Sequence, residues 1–165
     1  MPITDPKRRA TVNLALQGGG AHGAFTWGVL DALLEDGYLD FEGVSGTSAG
    51  AMNAVCLAQG LMAGGRDGAR QALRDFWTAV AESSPFPDSK SSADGEPPAV
   101  PAALKLMLQW TDYLSPEQLN PFDLNPLRDV VTAQIDFERL RRHSPVELFI
   151  AATNANSGKL RIFHN

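Results

Sequence analysis

The chain has 165 residues, of which 44% are hydrophobic and 20% charged, and this suits one globular domain with a substantial core. Its formal net charge of −5, from 14 basic and 19 acidic residues, gives no electrostatic footprint for binding nucleic acid. The single cysteine excludes an internal disulfide, and no apolar run approaches the ~20 residues of a membrane span. We therefore expect a cytoplasmic protein without a nucleic-acid partner, whose contact with membranes, if any, is peripheral.

The first predicted elements are a strand and a helix joined by a glycine-rich loop. Residues 1–10 form an N-terminal extension, whose basic run is not followed by the apolar core of a signal peptide. Residues 11–17 predict a strand, and residues 24–36 predict a helix that ends at Gly37. The loop between them can aim consecutive backbone N–H groups at one point, as an oxyanion hole requires. The amides that we expect to form this hole are those of Gly18, Gly19, Gly20, Ala21 and Gly23.

The same loop also satisfies G-x-G-x-x-G at Gly18, Gly20 and Gly23, which is the dinucleotide-binding fingerprint. A Rossmann unit places an acidic residue at the end of its second strand, about 20 residues further on. Asp40 and Glu42 lie at that distance, but at the start of the next predicted strand. The dinucleotide interpretation is therefore the weaker one.

Ser48 is the centre of a G-x-S-x-G pentapeptide between a short predicted strand and an apolar helix. A nucleophilic serine stands on a sharp, strained turn of this kind, and the flanking glycines let neighbouring main chain pack closely. At a helix N-terminus, unpaired N–H groups favour developing negative charge. We predict that Ser48 is a nucleophile, held in an elbow made of Gly46, Thr47, Ala49 and Gly50.

These two motifs resemble those of the patatin-like phospholipases, whose signature is a Gly-Gly-Gly-x-basic-Gly loop followed closely by Gly-x-Ser-x-Gly. The resemblance is strong over residues 12–58 and continues through residues 125–128 and the apolar segment 146–154. His22 stands where the family more often has Arg or Lys. The resemblance implies a serine lipid acyl hydrolase, of the phospholipase A or esterase type, that acts on a lipid or fatty-acyl ester without a cofactor or a metal.

The resemblance also implies a Ser-Asp dyad, whose aspartate comes from an Asp-Gly-Gly or Asp-Gly-Ala turn far downstream. We expect this base after Asn165, in the remainder of the domain or a partner chain, and we expect the 165 residues alone to be inactive. Asp67-Gly68-Ala69 matches the turn, but Asp67 opens a predicted helix and suits a cap. The histidines lie in the glycine loop, at a helix end and next to the last residue, and are poorly placed as bases: His22, His143 and His164.

The second half of the chain begins with a change of composition. Residues 83–101 are rich in Ser, Pro, Asp and Gly and predict a flexible loop. Residues 102–125 begin with an apolar helix that suits either core packing or a lid. A helix start at Asn125-Pro126, a charged helix at 136–142 and a hairpin with its turn at 156–158 follow.

The alternation of strands and helices predicts an α/β fold. The further elements are strands at 40–45 and 146–153 and helices at 49–59 and 67–81. This order favours a three-layer α/β/α sandwich with a largely parallel central sheet and its site at the carboxyl ends of the strands. A patatin-like domain has more strands, so we expect residues 11–165 to be its amino-terminal portion. A second hypothesis stays open, a non-catalytic lipid-binding or regulatory fragment of the same fold.

Overall fold

The computed structural model describes residues 9–83, 126–154 and 156–165. The predicted lid region and all but the first residue of the predicted flexible loop lie outside the described residues, as do residues 1–8 of the extension. The described strands are β1 (Ala10–Leu16), β2 (Leu39–Thr47), β3 (Glu147–Thr153) and β4 (Leu160–His164). The described helices are α1 (Gly23–Asp36), α2 (Ala49–Glu82), α3 (Pro126–Gln134) and α4 (Phe137–His143), with a 3₁₀ turn (Gly20–His22) before α1.

The four strands form one mixed sheet in the order β1-β2-β3-β4. The first three are parallel, and β4 pairs antiparallel with β3 at the edge. Because parallel neighbours end at the same edge of a sheet, Leu16 at the end of β1 lies opposite Gly46 near the end of β2. This register brings the glycine loop that follows β1 beside the pentapeptide that follows β2. The predicted α/β class with a largely parallel sheet is confirmed.

Helix α2 is two arms joined by a kink at Gly64 and Gly65, where the backbone leaves helical geometry. The first arm covers residues 49–63 and the second covers 66–82. A Cβ on Gly60 would lie 2.4 Å from the carbonyl oxygen of Gly68, so the arms pack backbone to backbone at this point. The predicted pair of helices is therefore a tight antiparallel hairpin. Neither it nor any other helix in the described ranges combines the length and hydrophobicity that crossing a membrane requires.

One hydrophobic core lies between the helices and one face of the sheet. Each of the first three strands contributes to it, with Leu14, Val44 and Leu148 side by side in register. Among the described residues the opposite face is uncovered, and it carries Phe149 and Ile162, which are 37% and 59% exposed. The second helical layer of a three-layer sandwich would therefore have to come from outside the described residues.

Cys56 lies in the first arm of α2 and is fully buried in this core. Burial raises the pKa of its thiol from 9.0 to about 12, because the thiolate would lose its hydration. At pH 8 the thiol is therefore neutral as well as hidden, and we expect iodoacetamide to leave it unmodified in the native protein. Mass spectrometry after native and denatured exposure measures this. Native modification as fast as that of a free cysteine would contradict the placement of Cys56 in the core.

Candidate active site

The backbone of Ser48 is strained. Its φ of 51° and ψ of −125° make it the one non-glycine residue with positive φ in the described ranges. Such a conformation costs an L-residue about 1–3 kcal/mol and is concentrated at functional sites. Ser48 is also the N-cap residue of α2, yet its exposed side chain makes no capping hydrogen bond. A serine at this position normally accepts one from the first turn, so its hydroxyl group is left free for another use.

The glycines of the pentapeptide are required by close contacts of main chain. A Cβ on Gly46 would lie 2.5 Å from the carbonyl oxygen of Gly50. A Cβ on Gly50 would lie 2.2 Å from the carbonyl oxygen of Leu16 at the end of β1. Both distances are shorter than a real Cβ ever shows, so no side chain fits at either position. These contacts let β2 turn sharply into α2 while the first arm of α2 stays against β1.

The glycine loop lies directly beside this elbow. A Cβ on Gly18 would lie 3.0 Å from the carbonyl oxygen of Thr47 and 3.1 Å from Cβ of Ser48. Gly20 has a φ of 56°, a left-handed conformation that favours glycine. The structure therefore brings the two predicted parts of the site together, the loop with its backbone amides and the serine with its free hydroxyl group.

His22 forms two hydrogen bonds within the glycine loop. Its backbone N–H and its ring Nδ1 both lie 3.1 Å from the carbonyl oxygen of Gly19. A carbonyl oxygen can only accept a hydrogen bond, so Nδ1 carries the hydrogen and is the donor of this bond. In the position where the resemblance expects a cationic side chain, this imidazole is occupied in fixing the turn.

No carboxylate or imidazole in the described ranges forms a hydrogen bond with the hydroxyl group of Ser48. Asp67 lies in the first turn of the second arm of α2, beside the Gly60 end of the first arm. At 1.5 Å per residue, that end of the arm is roughly 18 Å from Ser48. His143 ends α4, and the ring of His164 lies 4.7 Å from that of Phe149. In the described ranges, Ser48, the candidate nucleophile, thus has no base hydrogen-bonded to it.

The acidic residue that a dinucleotide site would need is misplaced. Asp40 is the second residue of β2, at the opposite end of that strand from the pentapeptide. Its carboxylate forms an ion pair with Arg66, at a distance of 2.8 Å. Because the glycine loop follows the carboxyl end of β1, Asp40 cannot reach a ribose that is bound beside it.

The sequence interpretation missed one buried polar contact at the back of the loop. Asn53 and Trp77, one on each arm of α2, hydrogen-bond to each other, and Asn53 also bonds to Gly23. The available signal was that Asn53 is the one polar side chain in the apolar run of residues 49–58. Such a residue in a buried helix needs hydrogen-bond partners, although sequence does not identify them.

A hollow of about 350 Å³ adjoins the elbow on the face of the sheet that the helices leave uncovered. Its walls are mostly apolar and come from the first three strands and from β4, with Thr47 at the end beside Ser48. The apolar wall is formed mainly by Ala15, Phe149, Ala151 and Ile162. Such a surface suits an apolar occupant, either a hydrocarbon chain or side chains of the second helical layer that would come from outside the described residues.

Comparison with known proteins adds a family. A family model described as Patatin-like phospholipase matches residues 14–164. Among solved structures, the chain resembles one chain of the heterodimeric ExoU-SpcU complex from the type III secretion system of Pseudomonas aeruginosa, with 22% sequence identity and a TM-score of 0.39. That match covers 94% of this chain and 33% of the other chain, so this chain spans about a third of the length of the other. No curated protein matches significantly.

Proposed function

The chain belongs to the patatin-like phospholipase family, and on that premise we propose that it carries the nucleophile and the oxyanion loop of a serine lipid acyl hydrolase. The observation that carries the proposal is the backbone of Ser48, strained at φ 51° beside the glycine loop, with a hydroxyl group that caps no helix. Strain of this kind persists only where the surrounding structure imposes it, as the close contacts of Gly46 and Gly50 do here.

The proposed reaction proceeds through an acyl-enzyme. Oγ of Ser48 attacks the ester carbonyl carbon, and its proton passes to a base. Amides of the loop from Gly18 to Ala21 and the N-terminus of α2 stabilise the oxyanion. The N–H of Gly23, expected from the sequence to contribute, is not available, because it donates to the carbonyl oxygens of Gly20 and Ala21. The intermediate collapses, the alcohol leaves with the proton, and water then releases the fatty acid. The apolar hollow beside Thr47 supports an acyl chain as the group transferred.

We propose that the base is an aspartate outside the described residues, completing a Ser-Asp dyad. Support comes from the absence of a hydrogen bond between Ser48 and any described carboxylate, and from the position of Asp67 in the second arm of α2, beside the far end of the first arm. The remainder of the domain or a partner chain would supply this residue. We further propose that contact with a lipid surface is peripheral. A non-catalytic lipid-binding fragment is the alternative, and it predicts a serine that no base activates.

The test compares four samples with a fluorophosphonate probe and a short-chain soluble ester. They are the natural full-length protein, its Ser48→Ala variant, its Asp67→Asn variant and residues 1–165 alone. We expect the full-length protein to be labelled at Ser48 and to hydrolyse the ester, Asp67→Asn to retain its rate, and residues 1–165 alone to be inactive. Labelling is followed by mass spectrometry of the modified peptide.

Two results would count against parts of this proposal. A folded full-length protein that neither reacts with the probe nor hydrolyses any ester would favour the non-catalytic alternative. Turnover by residues 1–165 alone, together with loss of activity in the full-length Asp67→Asn variant, would show that the base is Asp67.

A further inference from the structure

Asn53 is a fully buried polar side chain in the middle of the hydrophobic core. Its Nδ2 donates to the carbonyl oxygen of Gly23 at 3.0 Å, and its Oδ1 accepts from the indole N–H of Trp77 at 2.9 Å. A carbonyl oxygen can only accept and an indole N–H can only donate. These partners therefore fix the orientation of the carboxamide, and both of its ends are satisfied.

Gly23 links this buried contact to the candidate site. It is the last residue of the glycine loop and the first residue of α1. A Cβ on Gly23 would lie 2.7 Å from Cβ of Ala49, the residue after Ser48, and 2.8 Å from the ring of Trp77. The end of the loop is thus packed against the elbow and hydrogen-bonded to the helix that begins at the elbow.

We propose that Asn53 is a positioning residue of the oxyanion loop. Through Gly23 it fixes the distance between the loop amides and Ser48, and it touches no substrate. This inference rests on the proposed function, because it concerns how the oxyanion donors are held. If an amide donor moves by a fraction of an ångström, its hydrogen bond to the oxyanion weakens although the substrate still binds. We therefore expect kcat to fall and KM to stay nearly unchanged.

The test uses Asn53→Leu and Trp77→Phe in the full-length protein. Asn53→Leu keeps the approximate shape but removes both hydrogen bonds, whereas Trp77→Phe leaves the bond from Asn53 to Gly23 in place. At a temperature where both variants are folded, we expect Asn53→Leu to lower kcat by about 10- to 100-fold, with KM changed by less than about 3-fold. Trp77→Phe should lower kcat by a smaller factor than Asn53→Leu does.

Hydrogen exchange gives a readout that needs no activity. In Asn53→Leu the hydrogen-bonded amides of His22 and Gly23, at the end of the loop, should exchange at least about 5-fold faster than in the unmodified protein, since the loop has lost its anchor. The matched control is Leu34→Ala, which opens a cavity in the core near the other end of α1. It should lower the melting temperature without changing kcat or the exchange of the loop.

The outcomes separate the two proposals. Faster loop exchange in Asn53→Leu that Leu34→Ala does not show supports the positioning role. It does so even if the protein hydrolyses no ester, because absence of hydrolysis would contradict only the proposed function. Unchanged exchange, or a loss of kcat that Leu34→Ala reproduces at equal destabilisation, overturns the positioning role. If Asn53→Leu does not fold, Asn53→Ala replaces it, because this variant also removes the hydrogen bond to Gly23. Faster exchange of the loop in Asn53→Ala is then expected, and unchanged exchange would contradict the proposal.

Discussion

Replacing Ser48 with alanine is expected to lower kcat for ester hydrolysis by at least about 10³-fold and to abolish labelling by a fluorophosphonate. The reason is that the hydroxyl group of Ser48 is the proposed nucleophile, and no other serine stands on a strained turn beside the glycine loop in the described ranges. Kinetics on a soluble ester and mass spectrometry of the probe adduct measure the two losses. Unchanged labelling, or labelling at another serine, would refute the assignment.

The same position gives a second test that does not depend on activity. Alanine keeps the Cβ that makes a φ of 51° unfavourable, whereas glycine adopts it freely. We expect Ser48→Gly to be as inactive as Ser48→Ala but to have a free energy of unfolding about 1 kcal/mol higher, after the greater entropy of glycine in the unfolded chain is included. Urea denaturation of the two variants measures the difference. A Ser48→Gly variant less stable than Ser48→Ala would show that the strain is not present in solution.

The local parts of this fold were predictable because glycine, proline and hydrophobic periodicity mark them. Helix α1 ends at Gly37 in a left-handed conformation, as predicted, and α3 begins at Pro126. The charged helix is α4, capped by the side chain of Asp136. Each boundary follows from the backbone preferences of one or two residues, which a sequence states directly.

The nonlocal parts were not predictable in the same way. The sequence marks the break at Gly64-Gly65, but it does not show that the arms of α2 then pack so closely that Gly60 meets the backbone of Gly68. The bond between Asn53 and Trp77 joins residues 24 positions apart, and no local pattern encodes it. The G-x-S-x-G motif pointed to Ser48 as the candidate nucleophile because the motif is local. No local pattern marks the base of the proposed dyad, so it stays an inference from family resemblance.

We expect Gly50→Ala to prevent the protein from folding. The new Cβ would lie 2.2 Å from the carbonyl oxygen of Leu16 and 2.8 Å from that of Gln17, and both contacts are with main chain that a rotamer change cannot move. Relief would require α2 to withdraw from β1, which breaks the core packing beneath the elbow. A cost above about 4 kcal/mol would exhaust most of the stability of a domain at the lower end of the typical range of about 5–15 kcal/mol. Soluble yield and far-UV circular dichroism measure the loss.

Gly28→Ala is the matched control, because it makes the same chemical change inside a helix where space is open. Gly28 lies in α1, and a Cβ there would meet no atom within 4 Å. We expect this variant to be more stable than the unmodified protein by about 0.5–1 kcal/mol, since alanine loses less backbone entropy on folding than glycine. The opposite signs at the two positions isolate the contact with β1 as the cause. A Gly50→Ala protein that folds, melts normally and keeps its activity would mean that α2 does not begin against β1, and the elbow geometry derived for Ser48 would be wrong.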